Sequence, residues 1–223
     1  MMNLQTNIDK IFHNIEVARI QVSEHHIVKI VAVSKYVDSK MIQALYEQGQ
    51  RAFGENKVQD LTSKTVELID LPLEWHFIGR LQKNKINQLI ELSPSLFQSL
   101  DSLELASELN KRLEREGKTM SCLLQINSSN EESKAGIEPS EAIDAYQQIT
   151  DSYPNIKLQG VMCIGAMSDD EQEVKASFLQ TAQIFEQLKP SGANICSMGM
   201  SGDYELAIAC GSNLIRMGSA FFD

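Results

Sequence analysis

The chain has 223 residues, of which 43% are apolar and 22% are charged, and its formal charge at pH 7 is −10. This length is close to the roughly 250 residues of a single (β/α)8 barrel, and the composition carries no signature of disorder. The negative charge argues against general binding to nucleic acid or to an anionic membrane, since both need a cationic surface. We therefore expect one domain over residues 1–223, in which any anion-binding site is local.

The N-terminal residues lack the apolar run of a signal peptide, and no stretch approaches the roughly 20 apolar residues of a membrane span. We expect a cytoplasmic, monomeric protein that makes no membrane contact. The sequence has four cysteines that form no CxxC pair, and no metal site is predicted: Cys122, Cys163, Cys196 and Cys210. Three of them lie in apolar, strand-like runs, so we interpret all four as reduced packing residues.

Helix-like and strand-like patterns alternate from the N-terminus onwards without a low-complexity linker. An amphipathic stretch from Leu4 to about Ser23 predicts an opening helix, and the β-branched residues of 27–35 predict a first strand. In the first half, further helices are predicted at 39–49, 58–69, 84–92 and 102–118, and further strands at 51–56, 74–79, 96–101 and 121–127.

In the second half, helices are predicted at 141–152, 170–188 and 202–211, and strands at 156–165, 193–200 and 213–222. Eight βα repeats with near-continuous apolar strands favour a parallel sheet that is buried on both faces. The sequence therefore predicts a single (β/α)8 TIM barrel with an extra N-terminal helix. The alternative is an open doubly wound sheet, which is less favoured because no GxGxxG motif follows the first strand.

Polar residues follow most of the predicted strands, at the end of the barrel where active sites of this fold lie. They are Lys35, Asn56, Arg80, Asp101, Asn127, the segment 199–202, and Arg216 with Gly218 and Ser219. Lys35 follows VAVS, so its stem should run along the apolar barrel interior and its amine should emerge at the mouth. A desolvated amine in that position is a nucleophile toward aldehydes. The alternative is a lysine that merely extends from a strand end to solvent.

The segments SMGMSGDYELAI and RMGSA predict a phosphate site. Ser201 and Gly202 have the form of a tight loop that opens a helix, where free backbone N–H groups attract anions, although an ordinary serine N-cap has the same pattern. The second glycine turn strengthens the interpretation, because the loops after strands seven and eight are the recurrent phosphate site of this fold.

Arg216 should point toward the same mouth if Ile215 and Met217 face the helices. A buried arginine beside a cofactor ring can set the protonation of the ring nitrogen, whereas a structural arginine would pair with a carboxylate, and the sequence does not separate the two. We interpret His76 as a core histidine with satisfied hydrogen bonds. Three methionines are assigned to packing, and we leave open that one of them contacts a flat ligand: Met162, Met198 and Met200.

Ordered motifs along the whole chain resemble the pyridoxal phosphate homeostasis proteins, which are related to the barrel domain of alanine racemase. The matching segments are VAVSK at 31–35, FGENKVQD at 53–60, WHFIGRLQKNK at 75–85, SKAGI at 133–137, GVMCIGAMS at 160–168, SMGMSGDYELAI at 197–208 and IRMGSAFF at 215–222. The chain departs from the family at Tyr36 and Val37, where a threonine and a second lysine are common. It also departs after FF, where the family commonly has a glycine and an arginine and this chain has Asp223.

The resemblance implies that pyridoxal 5′-phosphate forms an internal aldimine on Lys35. It also implies that Ser201, Gly218 and Ser219 hold the phosphate, that Arg216 lies near the pyridine nitrogen, and that Asn56 lies by the ring. Lys134 resembles a second lysine that accepts the cofactor during exchange. The implied function is to hold the cofactor and deliver it, with apo enzymes that depend on pyridoxal phosphate as partners and without established catalytic turnover.

Two other functions use the same features. An amino-acid racemase would use the same aldimine, but it needs a base on each face of the substrate carbon, and in alanine racemases the second base is a tyrosine from an extra domain. We expect no such domain here, which favours the carrier. The other function is a barrel enzyme that acts on a phosphorylated sugar or forms a Schiff base directly with a substrate carbonyl, as a lysine-dependent aldolase does.

Overall fold

The computed structural model describes residues 4–129 and 135–222, and within them eight parallel strands close into a barrel in chain order. The predicted barrel is thereby confirmed, and the open doubly wound sheet is wrong. The strands are β1 (Lys29–Val33), β2 (Ala52–Glu55), β3 (Glu74–Phe77), β4 (Leu96–Leu100), β5 (Met120–Ile126), β6 (Ile156–Cys163), β7 (Ile195–Met200) and β8 (Leu214–Met217). Pairing of β1 with β8 closes the barrel.

Helices connect successive strands and form the outer layer. They are α1 (Leu4–Val22), α2 (Ser39–Glu47), α3 (Val58–Glu67), α4 (Ile86–Leu92), α5 (Leu103–Glu116), α6 (Ala142–Ser152), α7 (Glu171–Leu188), α8 (Tyr204–Ala209) and α9 (Ser219–Phe222). Several begin where the sequence supplies a cap: the side chains of Asp38, Ser102 and Asp170 accept hydrogen bonds from first-turn amides of α2, α5 and α7. Asp38 and Asp170 also place negative charge at a helix N-terminus, which the helix dipole favours.

Alternation along the strands separates the barrel interior from the helix-facing surface. Val31 belongs to a small interior cluster of buried apolar side chains, whereas Ile30 and Ala32 pack in the cluster beneath the helices. The same alternation in β8 directs Ile215 and Met217 toward the helices and Arg216 inward, as the sequence predicts. Side-chain direction at the barrel mouth is therefore fixed by the strand register.

The last predicted strand is partly wrong. Residues 213–222 were expected to form one strand, but β8 ends at Met217 and Ser219–Phe222 form the short helix α9. Phe221 is buried in the same apolar cluster as Ile8 and Ile11 of α1, so turning the chain back onto α1 covers a side chain that a longer strand would have exposed. The turn places the amides of Gly218 and Ala220 at the barrel mouth.

The interpretation of the cysteines is confirmed, since all four are free and buried. Burial raises the pKa of the Cys122, Cys163, Cys196 and Cys210 thiols, which disfavours the reactive thiolate. None of the helices in residues 4–129 and 135–222 combines the length and apolarity that crossing a membrane requires.

Candidate functional site

A cavity of about 630 Å³ opens at the C-terminal ends of β1, β7 and β8. Five of the six residues predicted to bind the cofactor line it: Lys35, Ser201, Arg216, Gly218 and Ser219. Apolar side chains, including Val33, Ile78 and Phe222, form much of the remaining wall. The cavity thus combines apolar walls with a few converging polar groups, which is the usual composition of a small-molecule site.

Lys35 lies two residues beyond Val33, on the inward-facing side of β1. Its ammonium group lies 4.8 Å from the centre of the Tyr36 ring, a cation–π contact at the rim. In the described part of the chain no carboxylate lies within salt-bridge distance of the Lys35 amine. The amine is therefore held at the mouth without an ion-pair partner that would compete with a ligand.

The backbone before Lys35 is fixed by a buried polar cluster on the helix-facing side of β1 and β2. Ser34 donates a hydrogen bond to Glu55 Oε1 (2.6 Å), and Lys64 donates from α3 to both Glu55 Oε1 and the Ser34 carbonyl, each at 2.7 Å. Glu55 is fully buried, and its Oε2 has no partner among the described residues. Because a buried ion pair is costly to break, this cluster holds the end of β1 in place.

The Ser201 side chain is hydrogen-bonded to backbone amides of the turn after β8. Its hydroxyl oxygen accepts hydrogen bonds from the backbone N–H groups of Gly218 (3.0 Å) and Ala220 (3.4 Å). A Cβ added at Gly218 would meet only Val33 atoms, at 3.7 Å or beyond, so the protein itself leaves room there. These hydrogen bonds join the loops after β7 and β8 at one corner of the cavity, next to the start of α9.

Arg216 is buried, with 5% of its surface exposed, and it lines the cavity floor. Its Nη1 donates to the Ser197 carbonyl (3.0 Å) and to the Ser197 hydroxyl (2.5 Å), and its Nη2 donates to the Cys163 carbonyl (2.8 Å). Within residues 4–129 and 135–222 no carboxylate pairs with it directly. Burial lowers the pKa of Arg216, but an arginine stays charged in proteins.

A row of polar side chains continues from Arg216 across the barrel interior. The Ser197 hydroxyl donates to Gln98 Oε1 (2.7 Å), Gln98 Nε2 lies 2.8 Å from His76 Nδ1, and His76 Nε2 lies 3.1 Å from Glu74 Oε1. Glu74 also pairs with Lys29 at the N-terminal end of the barrel. Both ring nitrogens of His76 thus have partners, which confirms that it is a core histidine with satisfied hydrogen bonds.

Gln98 and Ser197 belong to this row although neither was predicted as a site residue. Each is a polar side chain within a largely apolar buried strand, where leaving it without a hydrogen-bond partner is costly. That signal was visible in LFQSL and ICSMGM. The sequence does not show that the two residues meet, since they lie on β4 and β7 and are separated by 99 positions.

Asn56 is half-buried and follows β2, between the mouth ends of β1 and β3, but it is not among the described residues that line the cavity. Its carbonyl lies so close to Gly79 that a Cβ there would be 2.0 Å from the Asn56 oxygen, so the position next to it needs a glycine. Arg80 and Asp101 form an ion pair with each other at 3.7 Å. Lys134 lies outside the described residues.

A larger groove of about 850 Å³ adjoins the cavity and shares Ser201 and Gly202 with it. Four carboxylates line that groove: Asp169, Glu171, Asp203 and Glu205. An anionic ligand is repelled there, whereas the smaller cavity presents Lys35 and Arg216. The part of the chain that the structure describes contains no group of three His, Cys, Asp or Glu residues that could hold a metal ion.

Comparison with known proteins identifies relatives of the chain. The family model described as alanine racemase, N-terminal domain, matches residues 6–223. The pyridoxal phosphate homeostasis protein of Helicobacter pylori is 54% identical over 222 residues, covering 100% of this chain and 99% of its own. PipY of Synechococcus elongatus, solved with pyridoxal phosphate bound, is 31% identical with a TM-score of 0.80, covering 94% of this chain and 99% of its own.

The barrel is also similar to that of an alanine racemase from Clostridium difficile, with a TM-score of 0.78. Sequence identity is 16%, and the match covers 99% of this chain and 59% of the racemase. This similarity shows the shared fold.

Glu74, at the end of the interior row, predicts that the free energy of unfolding depends on pH. The hydrogen bond from His76 and the contacts with Lys29 hold the pKa of Glu74 at about 2, below the 4.5 of a free side chain. Because folding lowers this pKa, the ionised carboxylate stabilises the folded protein at pH values above the unfolded pKa of 4.5. This stabilisation is lost as the pH falls toward 2. We expect Glu74→Gln to lower the free energy of unfolding at pH 7 by about 1 kcal/mol, a value reduced by solvent screening, and the difference from wild type to shrink between pH 5 and 2.

Urea denaturation across this pH range measures the difference. Glu186→Gln is the control, because it removes a carboxylate from an exposed ion pair with Lys189. A Glu74→Gln deficit of equal size at pH 7 and pH 2 would contradict the assignment of the stabilisation to the ionised carboxylate.

Proposed function

Because the chain belongs to the pyridoxal phosphate homeostasis proteins, a family built on the alanine racemase N-terminal barrel, we propose that it holds pyridoxal 5′-phosphate as a Schiff base on Lys35. In this proposal it takes part in the balance and delivery of the cofactor within the cell. The observation that carries the proposal is the cavity at the barrel mouth. There Lys35, whose amine has no ion-pair partner among the described residues, lines the same cavity as the buried Arg216 guanidinium and the hydrogen-bonded pair Ser201 and Gly218.

Lys35 would supply the nucleophilic amine, and the bound cofactor would supply an aldehyde. Their condensation would form a carbon–nitrogen double bond and release one water, and addition of water would reverse it. No carboxylate among the described residues pairs with the amine, so no salt bridge has to break before the amine reacts. The fixed Ser34 backbone directs the side chain into the cavity rather than along the surface.

The phosphate would lie at the corner formed by Ser201, Gly218 and Ser219. The Ser201 hydroxyl oxygen already accepts from the Gly218 and Ala220 amides, which shows that these amides can be reached by an oxygen acceptor. A phosphate oxygen in the same place would receive those N–H groups while the serine hydroxyl turns to donate to it.

Arg216 would lie next to the pyridine nitrogen and Asn56 beside the ring. A guanidinium donates hydrogen bonds and accepts none, so a nitrogen facing it is favoured in the unprotonated form. The described contacts of Arg216 go to oxygen acceptors of β6 and β7, which hold the guanidinium against the floor of the cavity. This arrangement supports a role in ligand binding over a purely structural ion pair.

The alternative of an amino-acid racemase requires bases on both faces of the substrate carbon. Of the described residues lining the cavity, the titratable ones are Lys35, Tyr36 and Arg216. Lys35 and Tyr36 are neighbours on the same strand end and touch each other, so they offer acid–base groups on one side only. An aldolase-like enzyme would use the same lysine but would not retain a coloured cofactor after purification.

The first test concerns Lys35. Borohydride reduction of the protein loaded with pyridoxal phosphate should fix a pyridoxyl group on Lys35, located by peptide mass mapping. Lys35→Ala should lose the visible Schiff-base absorbance while its melting temperature stays near that of wild type, because a partly exposed strand-end lysine contributes little to the core. Lys40→Ala, which changes an exposed lysine of α2, is the control and should keep the absorbance. Label found only on another lysine would overturn this site.

The second test concerns the phosphate corner. Gly218→Val should fold normally, since a Cβ there meets only Val33 at ordinary distance, but its side chain would enter the space given to the phosphate. We expect its dissociation constant for pyridoxal phosphate to rise by about 100-fold, and that of Ser201→Ala by about 10-fold, the effect of one charged hydrogen bond. Ser219→Ala should cost less than Gly218→Val. Unchanged retention in both Gly218→Val and Ser201→Ala, measured by equilibrium dialysis, would place the phosphate elsewhere.

The third test separates the carrier from the racemase. The loaded protein, incubated with L-alanine, should produce no D-alanine at a rate comparable to a dedicated enzyme, because one side of the cavity carries its bases. Mixed with an apo enzyme that depends on pyridoxal phosphate, it should restore that enzyme's activity. Chiral chromatography and the activity assay measure the two outcomes. Rapid racemisation without transfer would reject the carrier and support the racemase.

A further inference from the structure

An interior hydrogen-bond chain crosses the barrel from the candidate site to its opposite end. Its members are Arg216, Ser197, Gln98, His76 and Glu74, in that order. All but Glu74 are at least nine-tenths buried. Lys29 pairs with Glu74 where the chain reaches solvent. This hydrogen-bond chain therefore joins a buried cation at the cavity to a carboxylate at the opposite end of the barrel through three neutral side chains.

The direction of the chain is fixed by its first member. Arg216 can only donate, so the Ser197 oxygen is the acceptor of the 2.5 Å contact with Nη1. The single hydroxyl hydrogen of Ser197 must then go to its other partner, which is Gln98 Oε1 at 2.7 Å. The Gln98 amide is thereby oriented with its oxygen toward Ser197 and its NH₂ group toward His76.

The same direction continues to the last member. Gln98 Nε2 donates to His76 Nδ1 at 2.8 Å, so the ring proton of the neutral imidazole lies on Nε2 and donates to Glu74 at 3.1 Å. With the Gln98 amide reversed, the Ser197 hydroxyl hydrogen would face an NH₂ group, and the unprotonated Nε2 would face a carboxylate. A donor-only cation at one end and an acceptor-only anion at the other thus select one arrangement.

We propose that Gln98 is a positioning residue, which acts through Ser197 to hold the Arg216 guanidinium at the floor of the cavity. The proposal rests on the proposed function only in that Arg216 faces pyridoxal phosphate. A carboxylate in direct contact would also hold Arg216, but it would take up the donors and the charge that the cavity uses. The hydrogen-bond chain instead connects Arg216 to a carboxylate, Glu74, that lies at the far end of the barrel.

In the protein without cofactor, the protonation of His76 shows the direction of the hydrogen-bond chain. The charged groups that face His76 in the described residues are Glu74, on its own strand, and Lys29, on β1. Burial lowers the pKa of His76 and outweighs the hydrogen bond to Glu74, which acts in the opposite direction. Ring-nitrogen NMR at neutral pH should therefore show a neutral His76 with its proton on Nε2. A proton on Nδ1 instead would overturn the direction of the chain.

Gln98→Glu tests the role of the amide. A carboxylate at position 98 can still accept from Ser197, but it cannot donate to His76, so the contact survives only if Nδ1 carries a proton. We expect Nδ1 of His76 to be protonated at neutral pH in this variant. Gln125→Glu makes the same change at a buried glutamine of β5, whose amide donates to the Ala135 carbonyl, and should leave His76 neutral. A His76 in Gln98→Glu that carries its only proton on Nε2, as in the wild type, would overturn the proposal.

Gln98→Leu tests the effect on Arg216. In the wild type without cofactor, the guanidinium N–H signals of Arg216 should be resolved, because its contacts hinder rotation, and they should broaden or shift in Gln98→Leu but not in Gln125→Leu. With cofactor, Gln98→Leu should raise the dissociation constant for pyridoxal phosphate about 10-fold, the effect of weakening one hydrogen bond to a charged group, and should shift the visible absorbance. Unchanged Arg216 signals would overturn the positioning role.

These measurements distinguish the proposed function from the positioning role of Gln98. If the wild-type protein does not bind pyridoxal phosphate, the proposed function fails, while the His76 and Arg216 signals still decide whether Gln98 positions Arg216. If binding is normal in both wild type and Gln98→Leu, the proposed function stands and the positioning role is overturned. Should Gln98→Leu fail to fold, Gln98→Glu and the wild-type tautomer give the same decision.

Discussion

Pairing between the first and last strands is the constraint on which the site depends. Residues 29–32 of β1 pair in parallel with residues 214–217 of β8, and this pairing closes the barrel. It brings Lys35, near the start of the chain, to the same cavity as Arg216 and Gly218, near its end. Neither half of the chain contains a complete site, so the ability to bind a ligand there depends on formation of the whole barrel.

Electrostatics then determine which opening suits an anion. The chain carries a formal charge of −10, and four carboxylates line the groove next to the cavity. The cavity itself is lined by two cationic side chains, Lys35 and Arg216, and by no carboxylate among the described residues. The acidic groove therefore repels anions, whereas the cavity presents the positive charge that the proposed ligand, with its phosphate, requires.

Much of this arrangement could be predicted from the sequence, because alternation and chain order determine which residues end the strands at the mouth. Lys35, Ser201, Arg216, Gly218 and Ser219 were predicted on that basis and share one cavity. The end of β8 was not, since an apolar segment such as SAFF does not reveal that Phe221 packs against α1. Gln98 and Ser197 were also missed: hydrogen-bond partners on distant strands depend on barrel closure, which no local pattern records.

The backbone next to Lys35 is fixed, whereas the cavity mouth around its amine is open. Glu55 and Lys64 hold the Ser34 backbone in place, and the interior hydrogen-bond chain holds Arg216. At the mouth, Tyr36 is 87% exposed and Met200 is 40% exposed at the rim, so water can reach the amine. A Schiff base forms and breaks with the exchange of one water molecule, and access of water lets both directions proceed. A rigid floor with an open mouth therefore suits the proposed role of binding the cofactor and giving it up, whereas an enzyme that excludes water from its intermediates needs a closed site.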